Sequence, residues 1–251
     1  MQLSGNTILI TGGGSGIGQG LAVALAERDN TVIICGRRQA ALDETVALNS
    51  TIHSYRCDLS KPDEIDHLVR QLSYDGHAVN VLINNAAILN HYHLGKPERF
   101  DRAMADTEIR ANLQAPVELS MALLPLLQQQ ASPHIINVGS PGGIVAVSTS
   151  PMYSASKAGL HAFTQVLRLH LKDSVRVVEV FPPTVETAMT TDIHRAKVGV
   201  QSCVQAILKG LEQDRDEIWI GEGRIVRWLM NLLPPAWVFK LVNSQPSMHP
   251  K

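Results

Sequence analysis

Short apolar runs alternate with helix-patterned stretches along almost the whole chain, and that alternation limits the fold more than any other feature. The runs fall at 7–10, 31–35, 53–57, 79–84, 134–138, 175–181 and 217–220. Apolar residues recur at helical spacing over 18–28, 38–48, 62–72, 110–130, 151–171 and 198–212. Pro62 stands near the first turn of its helix, where a missing N–H costs nothing. Strands that are apolar on both faces need cover on both faces, and each connection here can hold a crossover helix. The expected architecture is α/β: a doubly wound parallel sheet of about seven strands. With no repeat, low-complexity tract or linker, 1–251 is expected to be a single domain. Two segments stand outside the pattern. Residues 185–197 are polar and threonine-rich and suggest a short lid. Residues 222–251 form a C-terminal extension that includes an apolar, aromatic stretch broken by Pro234-Pro235.

Composition narrows the function classes. With 251 residues, 45% hydrophobic and 18% charged, the chain is long enough for a sizeable core and globular. Twenty-two Lys and Arg against 23 Asp and Glu leave a formal charge of -1, without the positive field that phosphate backbones require, so no nucleic-acid partner is expected. Cys35, Cys57 and Cys203 are an odd number without metal-ligand spacing. They read as buried thiols in a reducing compartment, and no metal site is expected. The N-terminal residues lack a basic region followed by an apolar stretch, and no long window is uninterruptedly apolar. The expected protein is cytoplasmic, without stable membrane insertion.

The first apolar run leads into Thr11-Gly12-Gly13-Gly14-Ser15-Gly16-Ile17-Gly18, within which a helix begins. Glycines allow a tight turn and close approach to a pyrophosphate, and the helix N-terminus offers free N–H groups with partial positive charge. A glycine cluster alone is weak, because turns are glycine-rich anyway. Its place between a strand and a helix is the context that a Rossmann-type dinucleotide site requires. At the end of the second run, an NAD-selective site would carry an acid for the ribose 2′-hydroxyl. Here Gly36 is followed by Arg37 and Arg38. A guanidinium binds a 2′-phosphate with a bidentate, charge-assisted fork, so Arg37 points to NADP(H). Arg38 either assists or is an exposed residue at the start of a helix.

Ser140 follows the fifth run, Tyr153 comes later, and Lys157 stands at i+4 from Tyr153 in one predicted helix, on the same face. A phenol titrates near 10, and a nearby ammonium favours its ionised form. Ser140 at a strand end can hydrogen-bond a substrate oxygen while Tyr153 exchanges a proton, which is acid–base chemistry suited to carbonyl reduction. Singly, each residue is unremarkable: helical Tyr and Lys four apart are more often a solvated pair.

Together these motifs resemble the short-chain dehydrogenase/reductase family over nearly the whole chain. The resemblance rests on Thr11 to Gly18, Cys57-Asp58-Leu59, Asn84-Asn85-Ala86-Ala87, Asn112, Ser140, Tyr153-Ser154-Ala155-Ser156-Lys157 and Pro182 to Thr187. It implies an oxidoreductase with catalytic Asn112, Ser140, Tyr153 and Lys157. Gly12, Gly14, Ser15, Gly16, Ile17 and Gly18 would form the cradle. Asp58 and Leu59 would contact the adenine, and Asn85, Ala86 and Ala87 would line the cofactor. Asn112 would hold a water connecting to Lys157, Lys157 would also bond the nicotinamide ribose, and Val185 and Thr187 would hold the carboxamide. Three positions depart from the family pattern: Pro183 replaces a glycine and has no N–H, Ser15 stands where many NADP-using relatives carry a base, and Ala87 replaces a glycine. Phe181 to Thr187, Leu160 to Phe163 and Glu217 to Gly221 also resemble the DltE-like bacterial subgroup. That label, tied to teichoic-acid D-alanine esterification, supplies no substrate.

On the substrate side, Pro141, Ile144, Val147, Met152 and Met189 are expected to form a mostly apolar wall, favouring a hydrophobic aldehyde or ketone. His91 and His93 read as exposed loop residues, with a place at the mouth as the lesser option. The stretch 224–242 admits three roles: packing on the domain or across a dimer, a second lid, and, ranked last, a membrane-surface element. The helices at 110–130 and 151–171 carry surplus apolar residues, so a homodimer or homotetramer is expected. The alternative to an NADP(H)-dependent enzyme is a non-catalytic NADP(H)-responsive binding protein on the same fold.

Overall fold

The computed structural model describes residues 1–96, 98, 100–193 and 196–244. Among them, seven strands form one sheet: β1 (Thr7–Thr11), β2 (Thr31–Gly36), β3 (His53–Arg56), β4 (Val81–Asn84), β5 (His134–Val138), β6 (Arg176–Phe181) and β7 (Glu217–Trp219). Every neighbouring pair is parallel. The order β3-β2-β1-β4-β5-β6-β7 reverses the winding between β1 and β4, where a crevice opens at the carboxyl ends of the strands.

The helices are α1 (Gly16–Ala26), α2 (Gln39–Leu48), α3 (Pro62–Tyr74), α4 (Arg102–Ile109), α5 (Ala115–Leu127), α6 (Pro151–His170), α7 (Val200–Glu212), α8 (Gly223–Leu232) and α9 (Pro235–Asn243). Side chains alternate across a strand, so each run splits between two cores. Ile8, Ile10, Val32, Ile34, Val178 and Val180 pack with Leu21 and Leu25 of α1 and Val204 and Ile207 of α7. Leu9, Ile33, Leu82, Ile135 and Val177 face the other way, against Ile65 and Leu68 of α3, Leu119 and Leu123 of α5 and Leu167 of α6. Cys35, Cys57 and Cys203 are free and buried, as expected, and burial raises all three thiols.

The helix expected over 110–130 differs. It begins at Arg102, where the Asp101 carboxylate accepts from the N–H groups of Ala103 and Met104. It then widens into a π-helical segment over Arg110–Gln114 before α5. Pro116 has no N–H to give the carbonyl four residues back, that of Asn112, so regular α-helical bonding cannot run through this point.

The 185–197 segment, described here except at 194 and 195, is anchored by a bridge between Val185 and Val198 and by a one-turn helix over Ala188–Thr190. The described part of the C-terminal extension is the α8–α9 pair, and 245–251 lie outside the described residues. Asn243 bonds the backbone at Ala146 and Ser148, which brings the pair to the crevice mouth, while Trp228, Trp237 and Phe239 remain exposed. No helix among the described residues is long and apolar enough to cross a membrane. Nor is there a group of three or more metal-ligating side chains among them.

Candidate active site

The turn between β1 and α1 is built around two glycines that nothing larger could replace. Gly12 has φ of +68°, and a Cβ there would lie 2.9 Å from Ala86 Cα. A Cβ on Gly18 would lie 2.3 Å from the Gly12 carbonyl oxygen and 2.5 Å from Asn85 Nδ2. Asn85 fastens the end of β4 to this turn: its Nδ2 donates to the Thr11 carbonyl at 2.9 Å. The N–H groups of Asn85 and Ala86 donate to Thr11 Oγ1 at 2.9 and 3.0 Å. Thr11, the first residue of the motif, is therefore a structural centre that joins β4 to the turn, a role its place in the motif does not itself give. Ser15 precedes α1 without capping it through its side chain, so the first-turn N–H groups are left for an anion.

From this turn a crevice of about 1010 Å³ runs along the carboxyl edge of the sheet. Every residue expected to hold a dinucleotide lines it except Gly18, which is buried beneath the turn because its role is to let backbone pass close. Arg37 and Arg38 border the crevice beyond β2, both exposed. Across from them, Asp58 is partly desolvated, which alone would raise its carboxyl. Hydrogen bonds from Ser60, with Lys61 and Arg37 nearby, bring it below the usual range instead. A glycine-rich turn and a helix N-terminus without a side-chain cap fit the pyrophosphate of a dinucleotide, with Arg37 and Arg38 bordering the same crevice.

At the other end, Ser140 follows β5 and opens a one-turn helix over Pro141–Gly143, where its hydroxyl accepts from Gly142 N–H at 3.1 Å. The Tyr153 side chain lines the same crevice as Ser140. Burial holds the phenol above 10, the nearby Ser140 hydroxyl opposes this, and the buried Glu108 adds to it. Lys157, 2% exposed, lies on the same side of α6, with Nζ 5.9 Å from the Tyr153 ring centroid. Its Nζ donates to the Val138 carbonyl at 2.7 Å. Burial pushes the amine down to about 8, against the pull of Glu179. The expectation that Lys157 lowers the phenol is not met in this state: the amine is bonded to backbone, and burial dominates Tyr153.

Asn112 does not line the crevice. It is fully buried, its Oδ1 accepts from Ile88 N–H at 2.7 Å, and its Nδ2 donates to Ile88 O at 2.7 Å and Ser156 Oγ at 3.2 Å. Both polar ends of the side chain are engaged, and it clamps the loop after β4 to α6.

On the substrate side, Pro141, Val147 and Met189 line the crevice, but Ile144 and Met152 do not. Each successive residue of a tight turn or helix points in a new direction, so Val145 and Tyr153 face inward where their neighbours turn away. His91 lines the wall, with Nδ1 3.1 Å from Ser150 Oγ, while His93 does not. Val226 and Val242, from α8 and the end of α9, close the far side; composition marked them as apolar but not as inward-facing.

Fold and crevice define a dinucleotide-binding α/β protein with a hydroxyl, a phenol and an amine gathered at the carboxyl edge of its sheet. The chain belongs to the short-chain dehydrogenase family, whose model, described as short chain dehydrogenase, matches residues 6–198. It is 37% identical over 228 residues to the uncharacterized oxidoreductase DltE of Bacillus subtilis, covering 87% of this chain and 89% of that protein. An uncharacterized oxidoreductase of Staphylococcus epidermidis is 30% identical over 211 residues, covering 82% of this chain and 90% of its own. Among solved structures, a short chain dehydrogenase from Burkholderia cenocepacia in complex with NADP superposes with a TM-score of 0.85 at 26% identity, covering 97% of this chain and 100% of its own. A short chain dehydrogenase/reductase from Burkholderia phymatum in complex with NAD shares the fold, with a TM-score of 0.83 at 18% identity, covering 92% and 95%. The chain is thus an oxidoreductase of this family using a nicotinamide cofactor.

Proposed function

We propose that this oxidoreductase uses NADP(H) to interconvert an apolar carbonyl compound and its alcohol, acting in the cytoplasm as a single-domain protomer of a homodimer or homotetramer. The observation that carries the reading is the gathering of Ser140, Tyr153 and Lys157 on one wall of the crevice that the glycine cradle also lines, with Lys157 Nζ 5.9 Å from the Tyr153 ring centroid. Hydride exchange with the carbonyl carbon is the chemistry a bound nicotinamide supplies. Tyr153 gives its proton to the carbonyl oxygen in reduction and takes one from the alcohol in oxidation. Ser140 donates to the same oxygen and steers it. Lys157, as a cation, steadies the phenolate that reduction leaves behind. With the Asn112 side chain committed to Ile88 and Ser156, its part in a relay toward Lys157 falls to its backbone carbonyl, which Pro116 cannot satisfy. Val185 and Thr187 border the cofactor end of the crevice. Pro183, on the same wall, contributes a flat surface and no donor.

NADP(H) is favoured because the end of β2 offers Arg37 and no acid, and because the Burkholderia cenocepacia relative is in complex with NADP. An apolar substrate is favoured by Val145, Val147, Met189, Val226 and Val242 on the wall. The test is NADPH consumption across a panel of apolar aldehydes and ketones. Wild type turns over at least one member. Tyr153→Phe loses about 10²- to 10⁴-fold while binding NADPH as before. Undiminished turnover in that variant ends the assigned role, and a panel inert to wild type favours the non-catalytic binding protein.

A further inference from the structure

A row of buried polar side chains crosses the sheet just below the crevice floor. Asn84 on β4, Asn137 on β5 and Glu179 on β6 stand opposite one another in register. Asn84 Nδ2 donates to Asn137 Oδ1 at 2.9 Å, and Asn137 Nδ2 donates to Thr164 Oγ1 at 2.9 Å, so the bond shown from Asn137 runs to α6 and not to Glu179. Glu179 is fully buried. Its Oε2 is 2.8 Å from His161 Nδ1, which donates to it, and its Oε1 is a buried acceptor without a hydrogen-bond partner among the described residues. A carboxylate in that setting is costly unless a cation faces it.

We propose that Glu179 is the counter-ion that keeps the buried Lys157 charged, with His161 holding the carboxylate in position. This rests on the role given to Lys157 above. Lys157 and His161 are one turn apart on α6 and share a face. Lys157 Nζ is held by the Val138 carbonyl, and Glu179 Oε1 packs against the next residue, Gly139, where a Cβ would come within 2.6 Å. Amine and carboxylate thus meet the same short stretch at the end of β5, directly before Ser140, and a glycine there is what admits the carboxylate. The electrostatics agree: Glu179 opposes the burial that depresses Lys157, and its hydrogen bond is the largest cause raising His161. Glu217 of β7 and Arg168 of α6 also act on His161, in opposite senses, and Gln165 lies 3.1 Å from its Nε2. Proton uptake by His161 cancels the carboxylate's charge, so its hold on Lys157 weakens as pH falls. Glu179 is a positioning residue and does not touch the reacting atoms.

The test follows the Lys157 Cε resonance by NMR in ¹³C-lysine-labelled full-length protein without substrate, assigned by its loss in Lys157→Met. The wild-type midpoint is expected at about 8. Glu179→Gln removes a negative charge and should lower that midpoint by about one pH unit. His161→Gln removes the group that can neutralise the carboxylate, so the midpoint stays or rises. A merely structural role gives the opposite sign for Glu179→Gln, because loosened packing admits water and returns the amine toward its ordinary value. A midpoint unmoved or raised in Glu179→Gln overturns the proposal. Should that variant not fold, Glu179→Asp decides, because it draws the charge back by one methylene: a lowered midpoint supports the proposal, and an unmoved or raised one overturns it. In turnover, the alkaline limb of carbonyl reduction shifts with the midpoint. A midpoint that moves while the limb does not leaves the counter-ion pair standing and removes Lys157 from catalysis.

Discussion

Lys157→Met is expected to stabilise the cofactor-free protein near neutral pH while silencing it. Burial takes the amine from 10.5 to about 8, which corresponds to about 3 kcal/mol. A lysine whose pKa falls on folding binds a proton less readily folded than unfolded. Folding therefore bears the full penalty below pH 8, loses it progressively up to 10.5, and is free of it above. Methionine escapes that penalty but gives up the hydrogen bond to the Val138 carbonyl, about 1 kcal/mol, and leaves Glu179 without its cation. The net gain at pH 7 is about 1–2 kcal/mol, several degrees in Tm for a chain of this size. Urea unfolding of both proteins between pH 7 and 10 measures it. Wild type should gain on the variant as pH rises, by up to about 3 kcal/mol. Stability curves that run parallel across that window would refute the reasoning, because the amine would then titrate alike in both states.

Two further substitutions probe the cradle. Arg37→Ala should weaken NADPH binding by about ten- to a hundredfold, the range for a hydrogen bond to a charged group, and leave NADH affinity nearly unchanged; equal losses for both would exclude a 2′-phosphate contact. Gly18→Ala drives a methyl group into the Gly12 carbonyl. It should abolish dinucleotide binding and lower stability by about 1–3 kcal/mol, whereas normal binding in calorimetry would contradict the close-packed turn.

The strands were legible because a parallel sheet covered on both faces demands apolar runs at regular intervals, with the polar edge strand β3 placed by that alternation, and all seven segments became strands with ends shifted by a residue or two. The glycine turn and the serine, tyrosine and lysine were legible because their spacing is local: one turn, one strand end, one face of α6. What stayed hidden depends on distant partners. The start of α4 was missed although Asp101 caps it, because Ala103 and Ala105 give that helix little apolar stripe. The π-helical segment depends on Asn112 reaching Ile88 across 24 positions, and Pro116 was its one local sign. Met152 was assigned to the wall by proximity to Tyr153 in sequence, where helical rotation carries it away. Glu179 sits between the apolar Val178 and Val180, and only the register with Asn137 and the turn of α6 that brings His161 to it reveals a partner.

Deuterium transfer tests the central claim most directly. With NADPH deuterated at the transferable C4 position and a carbonyl compound that wild type reduces, mass spectrometry of the alcohol should find the label on the former carbonyl carbon. The label should be absent from product in Tyr153→Phe at matched times. Alcohol formed without the label, or labelled at the same rate by the phenylalanine variant, would contradict hydride delivery beside a proton-donating Tyr153.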